Sequence, residues 1–198
     1  MLFGFAGRKG HGKDACADIM VSAASTEVAK VAFADPIKLA CSALFVFSPA
    51  QLHNARAKET IDPRWGITPR QAMQFVGTDL IQQHMDELLP GVGRTFFVKA
   101  MRHRIQEMWS LNPDLLIVVS DVRFQHEVDL IHELGGWVFR VTRPNAAPSL
   151  DTHASEVMVD SLVGIDEEVI NHGTLDDLET NLKEAGERLA ERVLREEC

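Results

Sequence analysis

Residues 7–14 read GRKGHGKD, directly after a strongly apolar run over residues 1–6 and ahead of residues 14–20, DACADIM, which read as a helix. Strand, glycine-rich turn and helix in that order leave few folds open, because glycines at 7, 10 and 12 serve a backbone that bends tightly and passes close to a ligand. The pattern is G-x-x-x-x-G-K, with Asp14 where the usual loop carries Ser or Thr. Such glycines let the main chain wrap an oligophosphate. The loop N–H groups and the N-terminus of the next helix point at the negative charge, and Lys13 reaches the outer phosphates. Gly7, Arg8, Lys9, Gly10, His11, Gly12, Lys13 and Asp14 are therefore the candidate residues for binding a nucleoside triphosphate. A hydroxyl at position 14 would ligate Mg²⁺; a carboxylate can do so directly or through water, and its added negative charge should make the site more metal-dependent. The competing reading is an ordinary strand-to-helix turn, which needs neither three glycines nor Arg8, Lys9 and Lys13 together.

With 198 residues the chain can hold one α/β domain with a full core and a small insertion. A formal charge of −9 speaks against broad nucleic-acid binding, so no polymer partner is expected. Cys16, Cys41 and Cys198 show no metal-type spacing and no disulfide framework, which fits a reducing cytoplasm. No stretch approaches the ~20 apolar residues of a membrane span. The apolar N-terminus is too short for a signal peptide and runs straight into the glycine loop.

Further along, strands and helices alternate. Residues 2–6 are the first strand and 13–24 the first helix; 27–34 alternate as a second strand, and Asp35-Pro36 opens a helix to about residue 47. Residues 48–108 carry no clear strand. Ser48-Pro49 and Thr68-Pro69 are cap-then-proline helix starts, and Gln71 completes a capping box with Thr68. This helical stretch interrupts the rhythm as an acceptor-binding insertion would. The rhythm resumes with a buried strand at 115–119, a helix at 123–134 stopped by Gly135-Gly136, strands at 137–141 and 169–171, and a final helix capped by Thr174. Leu175, Leu178, Leu182, Ala185, Leu189 and Val193 share one face of that helix. Strands separated by helices imply a parallel sheet covered on both faces, with ligands beyond the C-terminal strand ends.

The glycine loop and Asp121 both fall at such ends. An acid there can stand near the metal of a phosphate-loop enzyme. Arg123 follows at the start of the next helix, where a guanidinium either pairs with phosphoryl oxygens or forms an ion pair with Asp121 or Glu127. Arg143-Pro144 is a second phosphate clamp or a surface turn; Asp35 accepts a proton, positions a metal water or caps its own helix. His126-Glu127 and His132 lack the i, i+4 spacing of a zinc-binding helix.

The segments 7–18 (GRKGHGKDACAD), 35–38 (DPIK), 70–81 (RQAMQFVGTDLI), 121–127 (DVRFQHE), Arg143-Pro144 and 153–156 (HASE) occur in an order that resembles the deoxynucleoside monophosphate kinases of tailed bacteriophages. Residues 48–64 depart from that pattern. The resemblance implies a three-layer α/β P-loop fold: a mostly parallel sheet with helices on both faces and a helical acceptor-binding insertion. It would be a single domain over 1–198, with the insertion at about 48–112 and a lid-like helix at about 123–135. It implies transfer of the γ-phosphoryl group of ATP to a deoxynucleoside monophosphate, with Lys13, Asp14, Asp121 and Arg123 catalytic and Mg²⁺ on Asp14 and Asp121. Arg143 would join the ATP site. Asp35, Lys38, Arg70, Thr78, Asp79, His153, Ser155 and Glu156 would bind the monophosphate. A homodimer in the host-cell cytoplasm, with no membrane partner, completes the expectation. A dephospho-coenzyme A kinase using Asp35, a non-kinase NTPase and a non-enzymatic nucleotide-binding module are the alternatives.

Overall fold

The apolar start of the chain forms β1 (Leu2–Ala6), and the glycine loop leads from it into α1 (Lys13–Ala23). The computed structural model describes residues 1–144, 146 and 158–196. Its remaining strands are β2 (Val28–Val31), β3 (Leu116–Val122), β4 (Trp137–Thr142) and β5 (Glu167–Ile170). All four pairings are parallel, and the order is β2-β3-β1-β4-β5. The helices after α1 are α2 (Asp35–Phe45), α3 (Pro49–His53), α4 (Pro69–Gln74), α5 (Gln83–Leu88), α6 (Phe96–Leu111), α7 (Gln125–Glu133) and α8 (Leu175–Glu196). Two compact units result: Met1–Ala32 with Arg102–Cys198, and Phe33–Met101. Among the described residues no helix is long and apolar enough to cross a membrane.

The first unit is the sheet and its covering helices. Side chains alternate along a strand, so Phe5, Leu116, Val118, Phe139 and Val141 form one face. That face is buried with Cys16 and Ala17 of α1 and Leu178, Leu182, Ala185 and Leu189 of α8. α7 packs on β1 and β4 through Val128, Leu130 and Ile131, all buried. Fully buried side chains of this size are each worth about 1.5–3 kcal/mol. Leu175 departs from the expected stripe. It is 67% exposed because it opens the helix, one residue past the Thr174 cap.

β2 is shorter than the sequence suggests, and β3 supplies the reason. The β2–β3 ladder ends at Val31 opposite Val119. Just beyond, the β1–β3 register shifts, from Gly4 opposite Val119 to Ala6 opposite Val122. β3 thus carries one extra residue at Ser120-Asp121, a bulge that ends pairing with the edge strand. α7 likewise starts two residues later than expected, so Arg123 lies in the turn between β3 and α7 rather than in the helix.

The second unit is helical, with one isolated antiparallel bridge, Asp62 to Ile67, among its residues. The Thr68 capping box is formed: Gln71 N–H donates to Thr68 Oγ1 at 3.1 Å and Thr68 N–H donates to Gln71 Oε1 at 2.8 Å. Ser48 and Gln51 make the same motif. Cys41, Phe47, Leu52, Ala72 and Val76 form its core. Residues Phe75–Gln82 are a π-helical segment, a rare form that recurs at functional sites. Hydrophobic periodicity cannot distinguish it from an ordinary helical turn.

Candidate active site

From β1 the chain crosses to β2 on one side of the sheet, and from β4 it crosses to β5 on the other. Adjacent strands whose connections diverge open a crevice at their C-terminal ends, where doubly wound sheets bind ligands. The glycine loop fills that position after β1, and Arg143 follows β4.

The loop is seated by contacts that exclude side chains at two glycines. Gly7 has φ +148°, and a Cβ there would stand 2.4 Å from the Val141 carbonyl oxygen. Gly12 has φ +106° and is the N-cap of α1; its Cβ would stand 2.6 Å from Asn171 Nδ2. Lys13 is only 6% exposed. Its ammonium donates to the carbonyls of Gly7 (2.5 Å) and Arg8 (2.9 Å), which holds it inside the curve of the loop. A buried cation held inside a glycine loop at a helix start is the electrostatic complement of a phosphate chain.

Neighbouring residues brace the loop. His11 Nδ1 accepts from the Arg143 N–H at 3.3 Å, and the His11 carbonyl accepts from Asn171 Nδ2 at 2.9 Å. Burial lowers the His11 pKa, and the Lys13 and Arg8 charges push the same way, against the hydrogen bond with the Val141 backbone. The neutral ring is the form able to accept at Nδ1. Arg8 pairs with Asp160, whose carboxyl is held below its ordinary range by that guanidinium.

Asp14 lies in the first turn of α1, its side chain 83% exposed, with Lys30 Nζ 3.9 Å from Oδ1. A carboxylate is favourable at a helix N-terminus. Lys30 also donates to Asp18 at 2.6 Å, so one lysine serves two acids on successive turns. Asp121 sits in the β3 bulge; bulges re-aim side chains next to active sites. Beside it, Glu127 is 5% exposed and accepts from the N–H groups of Arg123 (2.7 Å) and Phe124 (3.1 Å), both at Oε2. Burial pushes its pKa up to about 8, and the Asp121 charge adds to the rise. Glu127 thus fixes the turn that carries Arg123.

The acceptor candidates of the second unit make separate local contacts. Lys38 Nζ is 3.3 Å from Asp35 Oδ1, Arg70 Nε donates to Glu59 at 2.5 Å, and Asp79 Oδ1 accepts weakly from Gln83 at 3.5 Å. Thr78 and Asp79 lie on the π-helical segment. Trp65 packs edge-on to Phe45 and donates Nε1–H to its carbonyl at 2.8 Å. His153, Ser155 and Glu156 lie outside the described residues.

Three residues of this site escape a reading by motif. Glu127 was visible only as an acid beside Arg123, although its place three residues after Phe124 marks half of a capping box. Asn171 was visible only as the end of a strand. Nothing in the sequence marks Asp160 as the partner of Arg8.

Residues 42–182 match the family model described as deoxynucleotide monophosphate kinase. A relative from Acanthamoeba polyphaga mimivirus, provisionally named a deoxynucleotide monophosphate kinase, is 39% identical over 179 residues, 89% of this chain and 91% of that one. The deoxynucleotide monophosphate kinase of Enterobacteria phage T4 is 32% identical over 123 residues, 62% of this chain and 46% of that protein. Among solved structures, a dephospho-CoA kinase from Campylobacter jejuni aligns over 95% of this chain and 96% of its own at TM-score 0.45 and 14% identity, too distant to bear on function. The chain belongs to the deoxynucleotide monophosphate kinase family.

Proposed function

We propose that this protein transfers the γ-phosphoryl group of ATP to a deoxynucleoside 5′-monophosphate, giving the diphosphate and ADP. The observation that carries the donor half is Lys13, buried within a glycine loop at the start of a helix, at the point where the strand connections diverge. The acceptor half is supported by family membership.

Phosphoryl transfer asks mainly for alignment and charge neutralisation. The N–H groups of residues 7–13 bind the β and γ phosphates. The Lys13 ammonium exchanges its loop carbonyls for phosphoryl oxygens and follows the charge as it moves to the leaving group. Arg123 stabilises the transferring group from its turn, at the head of the lid-like helix proposed for about residues 123–135, whose α7 part turns a buried face to the sheet. Arg143, held by its backbone to His11, lies beside the loop as a further phosphate contact.

Asp14 and Asp121 suit a hard cation: both offer carboxylate oxygens, and Asp121 adds negative charge that burdens its buried neighbour Glu127. Mg²⁺ held there with phosphate oxygens would neutralise charge on the β and γ groups. Arg70 binds the acceptor phosphate, and Asp35, Lys38, Thr78, Asp79, His153, Ser155 and Glu156 shape the remainder of its pocket. The enzyme is proposed to act as a homodimer in the host-cell cytoplasm, as one domain with residues 48–112 as its acceptor-binding insertion.

The test is a coupled ADP-release assay with MgATP against dAMP, dCMP, dGMP, dTMP and their ribonucleotides. Release that requires a deoxynucleotide is expected. Equal release with and without acceptor would mean an NTPase instead.

A further inference from the structure

We propose that Asn171 holds the phosphate loop in its binding shape and is thus a positioning residue for the donor site. The inference rests on the phosphate-loop reading above. Asn171 follows β5 directly and is 6% exposed. Its backbone N–H donates to the Thr142 carbonyl at 2.7 Å, carrying the β4–β5 pairing one residue further and anchoring the side chain at the crevice. The amide is then used at both ends. Oδ1 accepts from the Gly173 N–H at 2.9 Å, and Nδ2 donates to the His11 carbonyl at 2.9 Å, 160 residues away in sequence. The Gly173 bond sets which end of the amide faces the loop. The same nitrogen occupies the space a side chain at position 12 would need.

A loop that binds phosphate through its N–H groups must keep its carbonyls turned elsewhere, because a carbonyl facing the phosphate would repel it. His11 immediately precedes Gly12, the N-cap of α1. With its carbonyl engaged by Asn171, that peptide cannot rotate its oxygen toward the ligand. The site therefore meets ATP with its dipoles already oriented, the condition under which such dipoles act most strongly. The pairing needs a donor and an acceptor on one short planar group. Aspartate lacks the donor, serine is too short to reach, and glutamine places the same atoms one methylene further out.

The measurement is steady-state kinetics of Asn171→Ser and Asn171→Asp, with MgADP binding by calorimetry and thermal melting on the same preparations. Asn171→Asp keeps the size and the Gly173 bond but sets an oxygen against the His11 carbonyl; Asn171→Ser removes the tether without adding charge. Both are expected to raise KM for MgATP and lower kcat/KM for MgATP by roughly tenfold to a hundredfold, the scale of a misplacement of about 1 Å. KM for the deoxynucleotide should stay unchanged. A folded Asn171→Ser with kcat/KM for MgATP within about twofold of wild type would overturn the inference. So would a fall in kcat with both KM values unchanged, the signature of lost active protein. Wild-type protein that bound no MgADP would instead remove the phosphate-loop reading, and this inference with it.

Discussion

The two units of this chain organise polar chemistry in opposite ways. In the sheet unit, the contacts that shape the loop join residues far apart in sequence: His11 to Arg143 across 132 positions and to Asn171 across 160. In the helical unit, polar contacts join residues nearer in sequence: Asp35 with Lys38, Asp62 with both Gln51 and Arg64, Glu59 with Arg70. The donor loop is a product of strand order, assembled only when β1, β4 and β5 lie side by side. Of the acceptor candidates, Arg70 sits on the short helix capped by Thr68, Asp35 and Lys38 on the first turn of α2, and Thr78 and Asp79 on the π-helical segment. The first arrangement suits a ligand part that never varies, the phosphate chain. The second suits a part that differs between substrates, since a local element can change without disturbing the sheet.

If this contrast holds, damage on one side should leave the other substrate's binding intact. The largest effect is expected from Lys13→Ala. Losing a donor to the transferring phosphoryl group costs about 2.7–4 kcal/mol, or roughly 10²–10³ in turnover. Circular dichroism should show the fold retained, and binding of the monophosphate should survive. Arg70→Ala comes next. A hydrogen bond between charged groups is worth about 1.5–3 kcal/mol, so KM for the deoxynucleotide should rise by roughly tenfold or more while KM for MgATP stays put. A rise in both would erase the division of labour.

A smaller effect sharpens the account of the Arg123 turn. Glu127 is raised from its ordinary 4.5 to about 8, so between those values the folded protein holds a proton that the unfolded chain has released. The stabilisation is complete below about 4.5 and is lost as pH rises through about 8. Its slope can reach about 1.4 kcal/mol per pH unit. Both backbone donors land on Oε2, so Glu127→Gln can keep them and has no proton to lose. Denaturant melts in chelator should show the slope flattened in Glu127→Gln; an unchanged slope would mean the titration belongs to another group. The smallest effect is Thr68→Ala, which removes one helix cap of the helical unit. It should cost about 1 kcal/mol in thermal melting, with turnover at 25 °C unchanged.

What the sequence discloses follows the same contrast. The Thr68–Gln71 capping box, the proline helix starts and the glycine loop are local signals, and each appears in the structure where the residues place it. The bulge at Ser120-Asp121 depends on two partner strands with different registers, information no single segment contains. Asn171 and Asp160 fail to stand out for the same reason: their partners, His11 and Arg8, are near only in three dimensions. Glu127 is a middle case. Its position promises a cap, while its burial beside Asp121, and hence its raised pKa, comes from the packing of α7 on the sheet.

The most direct test follows the phosphoryl group itself. ATP labelled at the γ position is incubated with the protein, Mg²⁺ and each deoxynucleoside monophosphate in turn, and the products are separated. The account predicts label in the deoxynucleoside diphosphate, one for one with ADP, and no ADP without acceptor. Label recovered as inorganic phosphate at the same rate with and without acceptor would contradict it.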